Sequence, residues 1–80
     1  QKTLKEGQNF VSMLNNLCQG LEWQNPEYTF TETEEGFRCE CHLETANVLV
    51  AGEGMASKKQ RAKNLAARQV LELLQAKAKT

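Results

Sequence analysis

Eighty residues allow one small domain with no room for a second core, and the longest apolar run is only a few residues, which excludes a membrane span. Formal net charge is zero, but it averages opposites: residues 22–53 hold eight acids against Arg38, and residues 58–80 hold seven bases against Glu72. That segregation predicts a focused basic surface able to attract a polyanion locally, while three cysteines, an odd number, argue against a secreted disulfide framework. With no signal peptide, the expected location is intracellular, nuclear or cytoplasmic, and the start at Gln1 is read as the edge of a fragment of something larger.

Residues 1–8 show no periodicity and are expected to form a flexible lead-in, with Leu4 against the fold. The domain is placed at residues 9–75 and a frayed tail at 76–80. Asn9 is a plausible N-cap, after which Phe10, Met13, Leu14, Leu17, Cys18 and Leu21 recur at helical spacing until Gly20 and Leu21 end the helix. Its opposite face carries Ser12, Asn15, Asn16 and Gln19, which are short, uncharged and suited to hydroxyl groups, although on the residues alone plain solvation is the favoured account of them. Trp23 is large enough to plug the junction between helix and sheet, and Pro26 forbids further helix.

From Glu27 to Thr33 the chain alternates, with Tyr28 and Phe30 on one face and Thr29, Thr31 and Thr33 on the other. After Glu34-Glu35-Gly36 comes the clearest alternation, which sends Phe37, Cys39, Cys41 and Leu43 inward and Arg38, Glu40, His42 and Glu44 outward. A third strand is expected from Asn47 to Ala51, with Val48 and Val50 on the core face, ended by Gly52 and Gly54. Two helices on one face of a three-stranded antiparallel sheet give an α+β sandwich of α-β-β-β-α order.

The stretch from Gly52 to Lys63 is the centre of the functional expectation. Ser57, followed three residues later by Gln60, has capping-box spacing, which places Lys58, Lys59, Arg61 and Lys63 in the first six helical positions. A helix N-terminus favours acidic side chains, and each cation there costs about 0.3–1 kcal/mol. Free backbone N–H groups together with lysines suit an external anion such as phosphate; the plain alternative is a solvated charged face. Lys59, Lys63, Ala67 and Leu71 form one i, i+4 row, charged and then apolar, so the first turns should overhang the core. Ala62, Leu65, Ala66, Val70, Leu73 and Leu74 supply the apolar face.

Other chemistry is poorly supported. Cys39, Cys41 and His42 form C-x-C-H, but a strand points the histidine away from both cysteines, so all three cannot readily hold one metal. The glycine stretch lacks P-loop spacing, and no catalytic set is apparent. No cofactor, small-molecule substrate or membrane is expected.

In order, four stretches resemble the double-stranded RNA-binding domain family over about residues 9 to 75. They are Leu14-Asn15-Asn16-Leu17-x-Gln19, then Pro26-x-Tyr28, then Gly52-x-Gly54 with the lysine-rich helix start, then Ala62-Lys63-x-x-Ala66-Ala67-x-x-Val70-Leu71-x-x-Leu74. The resemblance implies recognition of duplex RNA by shape, through two successive minor grooves and the intervening major-groove phosphates over about 16 base pairs. On that footing Lys58, Lys59, Arg61 and Lys63 meet phosphates, while Asn9, Ser12, Asn16 and Gln19 meet ribose 2′-hydroxyls. Where the family usually has a Gly-Pro-x-His turn, this chain has Glu34-Glu35-Gly36-Phe37, whose acids repel phosphate. The family's paired lysines fall either on Lys59 and Gln60 or, with a loop one residue longer, on Lys58 and Lys59. An alternative is the same fold used for protein interaction or dimerisation, with weak or no RNA binding.

Overall fold

The computed structural model describes residues 9–78, with side chains through residue 76. The expected lead-in at 1–8 and the last two residues of the expected tail lie outside the described residues. The element order is α1 (Phe10–Gly20), β1 (Glu27–Thr33), β2 (Gly36–Glu44), β3 (Leu49–Ala56) and α2 (Lys59–Ala78). The strands form one antiparallel sheet in the order β1-β2-β3. Helix α2 lies over β3 and β2, and α1 packs on α2, giving the expected α-β-β-β-α fold.

Both ends of α1 are closed by specific bonds. Asn9 caps its start, the side-chain oxygen accepting from the Ser12 N–H at 3.0 Å and the carbonyl from Met13 N–H at 3.1 Å. At the other end Trp23 N–H donates to the Cys18 carbonyl at 2.8 Å and Glu22 N–H to the Gln19 carbonyl at 3.2 Å, the paired pattern of a Schellman cap. The left-handed residue that this cap needs is Glu22, with φ of 60°, rather than a glycine.

Buried residues of α1 are Phe10, Leu14 and Cys18, a single i, i+4 row. Met13, Leu17 and Leu21, expected in the same apolar face, are instead 36%, 36% and 50% exposed. The reason is where α2 lies: it covers the first row and leaves the second at its flank, where Met13, Leu17 and Leu21 line an apolar groove with Trp23, Leu71 and Leu74. On α2 the fully buried positions are Ala62, Ala66, Ala67, Val70 and Leu71, while Leu65 and Leu74 are half-buried and Leu73 is exposed.

Strand β3 differs most from expectation. It begins at Leu49 and runs to Ala56, through Gly52 and Gly54 rather than stopping at them. Val50, Gly52 and Gly54 are buried at period two, so the glycines are core-facing strand positions. A Cβ on Gly54 would sit 2.5 Å from Leu65 Cβ, 2.6 Å from the Ala62 oxygen and 2.6 Å from the Ala66 nitrogen; one on Gly52 would sit 2.9 Å from the Ala66 oxygen. The absent side chains are what let α2 lie close on the sheet, against alanines on its own side.

The turn between β1 and β2 depends on Gly36, whose φ of 145° suits glycine and whose Cβ would strike the Ala56 carbonyl and Ser57 Cα. Thr45 shapes the next connection, its hydroxyl oxygen accepting from Val48 N–H at 2.9 Å and Asn47 N–H at 3.2 Å. Helix α2 starts at Lys59, one residue later than the capping-box spacing suggests: the Lys58 carbonyl accepts the Ala62 N–H at 3.0 Å, so Lys58 takes the cap position. The helix continues to Ala78, beyond residue 75 where the sequence places the domain's end.

Candidate nucleic-acid interface

Cross-strand register organises the face under α2. One row runs Tyr28–Cys41–Gly52 and the next Phe30–Cys39–Gly54. Two residues along a strand advance about 6.8 Å, and four residues along a helix advance about 6 Å. The spacings nearly match, so residues one turn apart on α2 meet successive rows of the sheet. Lys59 and Lys63 are such a pair: the Lys59 amine stands 4.7 Å from the centroid of the Phe30 ring, and the Lys63 amine 4.6 Å from that of Tyr28.

No acid occupies the first turn of α2. Among the described residues none of Lys58, Lys59, Arg61 and Lys63 makes an ion pair, whereas Arg38 pairs with Glu40 and Glu53, and Arg68 with Glu72. Lys58, Lys59 and Arg61 are exposed and Lys63 is half-buried over its ring. The i, i+4 row ends buried at Ala67 and Leu71, but its two lysines lie against the Phe30 and Tyr28 rings and Ala62 between them is buried, so the first turns cover the β1 side of the sheet instead of overhanging the core.

Asn9, Ser12, Asn16 and Gln19 are all exposed and fall at intervals of three, four and three residues, one stripe of α1. Asn9 and Ser12 line an open groove together with Lys58, Lys59, Arg61 and Lys63; Asn16 and Gln19 lie farther along α1, outside it. Asn9 also has a structural duty, because its carboxamide oxygen accepts the cap bond, which leaves its NH2 and one acceptor position to meet a ligand.

The two halves of this groove are joined by Asn64, which the sequence did not single out. Its side-chain oxygen accepts from Phe10 N–H at 2.7 Å and Val11 N–H at 3.3 Å, so a residue in the second turn of α2 satisfies the open N-terminus of α1. The available signal was one amide among several in α2, beside Gln60, Gln69 and Gln75, and it names no partner 54 residues away.

On the opposite side of the sheet, Arg38 bridges Glu40 at 3.0 Å and Glu53 at 2.5 Å, and His42 lies 3.4 Å from Glu40. The hydrogen bond that Arg38 donates to Glu53, then the charge of Glu53 and that of Glu40, hold the guanidinium pKa above its ordinary value. Glu34 and Glu35 are exposed at the hairpin tip. Cys18, Cys39 and Cys41 are buried free thiols; burial raises all three, Cys41 to about 11. Burial, followed by the neighbouring Cys41, also raises the Tyr28 phenol. That hydroxyl is buried without a hydrogen bond of ordinary geometry, the Cys41 thiol lying close without completing one. Cys39 and Cys41 face the helices while His42 is exposed on the other face, so the C-x-C-H run does not converge.

The double-stranded RNA binding motif matches residues 10–74, from the first residue of α1 to near the end of α2. The chain belongs to this family. Its members bind double-stranded RNA, and the motif is a binding fold rather than a catalytic one. A solved structure agrees: the solution structure of RDE-4(150-235) is similar with a TM-score of 0.73 and 28% sequence identity, over 94% of this chain and 85% of that one. Comparison with curated protein sequences gives no significant match. As a double-stranded RNA-binding motif, the domain has its basic cluster on α2 and polar stripe on α1 sharing one side, with the acids of Glu40 and Glu53 on another.

Proposed function

We propose that this domain binds duplex RNA by shape, without strong sequence specificity, as a targeting module of a larger protein. The observation that carries the reading is the set Lys58, Lys59, Arg61 and Lys63, which have no carboxylate partner among the described residues and share a groove with Asn9 and Ser12. Ammonium and guanidinium groups at a helix start, where backbone N–H groups already favour an anion, are suited to phosphates on both sides of a major groove. Hydroxyl and amide groups one layer away on α1 are suited to 2′-hydroxyls in the adjacent minor groove, and this distinguishes RNA from DNA. Glu34 and Glu35 at the hairpin tip weaken any second minor-groove contact, so the bulk of affinity falls on the two helices.

The test is an NMR titration with a blunt RNA duplex of about two helical turns at physiological salt. Shifts should concentrate at Ser12, Asn16 and residues 58–63, fade with a shorter duplex, and be absent with DNA of the same sequence. Duplex RNA that leaves those amides unmoved overturns the reading.

A second reading, protein interaction or dimerisation through the same fold, is favoured by the apolar groove of about 630 Å³ beside Met13, Leu17 and Leu21. It predicts concentration-dependent shifts on α1's apolar flank in the absence of RNA, and it is discarded if the protein stays monomeric with that flank unchanged.

A further inference from the structure

We propose that Phe30 and Tyr28 are positioning residues for RNA binding, each holding the ammonium group of one lysine, Lys59 and Lys63, in place for a phosphate. The proposal rests on the duplex-RNA reading above and deepens it. Three observations support it. The two amines stand 4.7 and 4.6 Å from their ring centroids, within the range where the negative face of an aromatic ring attracts a cation. Both rings are half-buried and packed against the core, so they are fixed supports. The pairs lie on neighbouring rows of the sheet and neighbouring turns of α2, and the lysine row becomes Ala67 and Leu71 farther along.

A ring differs from a carboxylate in one respect that matters here. It orders the ammonium group without cancelling its charge, and it covers one side only, leaving the outward N–H groups for a phosphate oxygen. A lysine on an open helix surface must be immobilised when RNA arrives, and that lost freedom weakens binding. A lysine already resting on a ring has less to lose. If packing alone were the purpose, aliphatic side chains at positions 59 and 63 would cover the same rings without placing cations at a helix start that disfavours them.

The experiment is a double-mutant cycle on the folded domain, using a blunt duplex of about two helical turns at physiological salt. Phe30→Leu should weaken binding about two- to fivefold when Lys59 is present and by less than about 1.5-fold in a Lys59→Gln background. In the free protein the Lys59 ε-methylene protons should show an upfield ring-current shift that disappears in Phe30→Leu. Replacing Phe30 with phenylalanines carrying one, two and three fluorines keeps the shape while draining the ring face, and should weaken binding stepwise; this series answers the question even if Phe30→Leu does not fold. The Tyr28→Leu and Lys63→Gln pair should behave alike. Equal losses in both backgrounds, unchanged or tighter binding by Phe30→Leu, or a flat fluorine series overturns the proposal while leaving the RNA reading intact. A parent domain that binds no duplex removes both.

Discussion

The open face of the sheet and the start of α2 both carry cations, and they treat them in opposite ways. Arg38, in the middle of the sheet, is gripped by Glu40 and Glu53, two acids directly opposite each other in the strand register. Lys59 and Lys63 rest on Phe30 and Tyr28. Each arrangement orders a long side chain, but the carboxylates also cancel its charge and the rings do not. A chain with zero net charge can therefore present a basic surface: two of its acids hold the cation of the sheet face, and among the described residues none pairs with the four cations at the helix start.

The frame beneath both regions gives the largest expected effect. Gly54→Ala puts a methyl group 2.6 Å from backbone atoms of Ala62 and Ala66, so α2 must lift off the sheet. A loss of about 3 kcal/mol is expected, seen as a fall in Tm of roughly 15 °C. The lysine-ring contacts should go with it, because they depend on how closely the helix lies. A thermal melt with little change would mean the helix shifts freely, and the match between turns and rows would lose its meaning.

Reversing the ring-seated charges attacks the comparison at its centre. Lys59→Glu with Lys63→Glu should weaken duplex RNA binding about 100-fold and flatten its salt dependence, with the fold retained. Freeing the other cation approaches from the opposite side. Glu40→Gln with Glu53→Gln leaves Arg38 without carboxylates, and weak RNA contacts should then appear on the sheet face, raising overall affinity about two- to threefold at low salt. Sheet-face amides that stay unmoved by RNA in that variant would show that charge pairing is not what silences the region.

What the sequence revealed of these regions depended on how local the cause was. The alternation of Phe37 to Leu43 and the cations placed against the helix dipole are visible within a few residues, and the strand, the helix and the exposed basic turns all follow. Gly52 and Gly54 were misleading because glycine ordinarily breaks a strand; only the approach of Ala62 and Ala66 from α2 explains why it continues one here. The rows Phe10-Leu14-Cys18 and Met13-Leu17-Leu21 have the same helical spacing, and the choice between them belongs to a helix about fifty residues away. Asn64 and the two aromatic seats are hidden for the same reason, since each is a relation between elements and carries no local pattern.

The smallest effect separates stability from ligand binding within a single residue. Gln60, in the first turn of α2, is exposed and uncharged. An acid there answers the helix dipole, so Gln60→Glu should stabilise the domain by about 0.5 kcal/mol. The same acid adds a negative charge beside Lys59 and Arg61 and should weaken duplex RNA binding about threefold, more at low salt than at high. A start of α2 shaped only for helix stability would improve in both measurements, or improve in one and stay level in the other. Opposite signs, read from a chemical melt and a binding isotherm on the same preparation, are what an anion site built at the expense of its own helix requires.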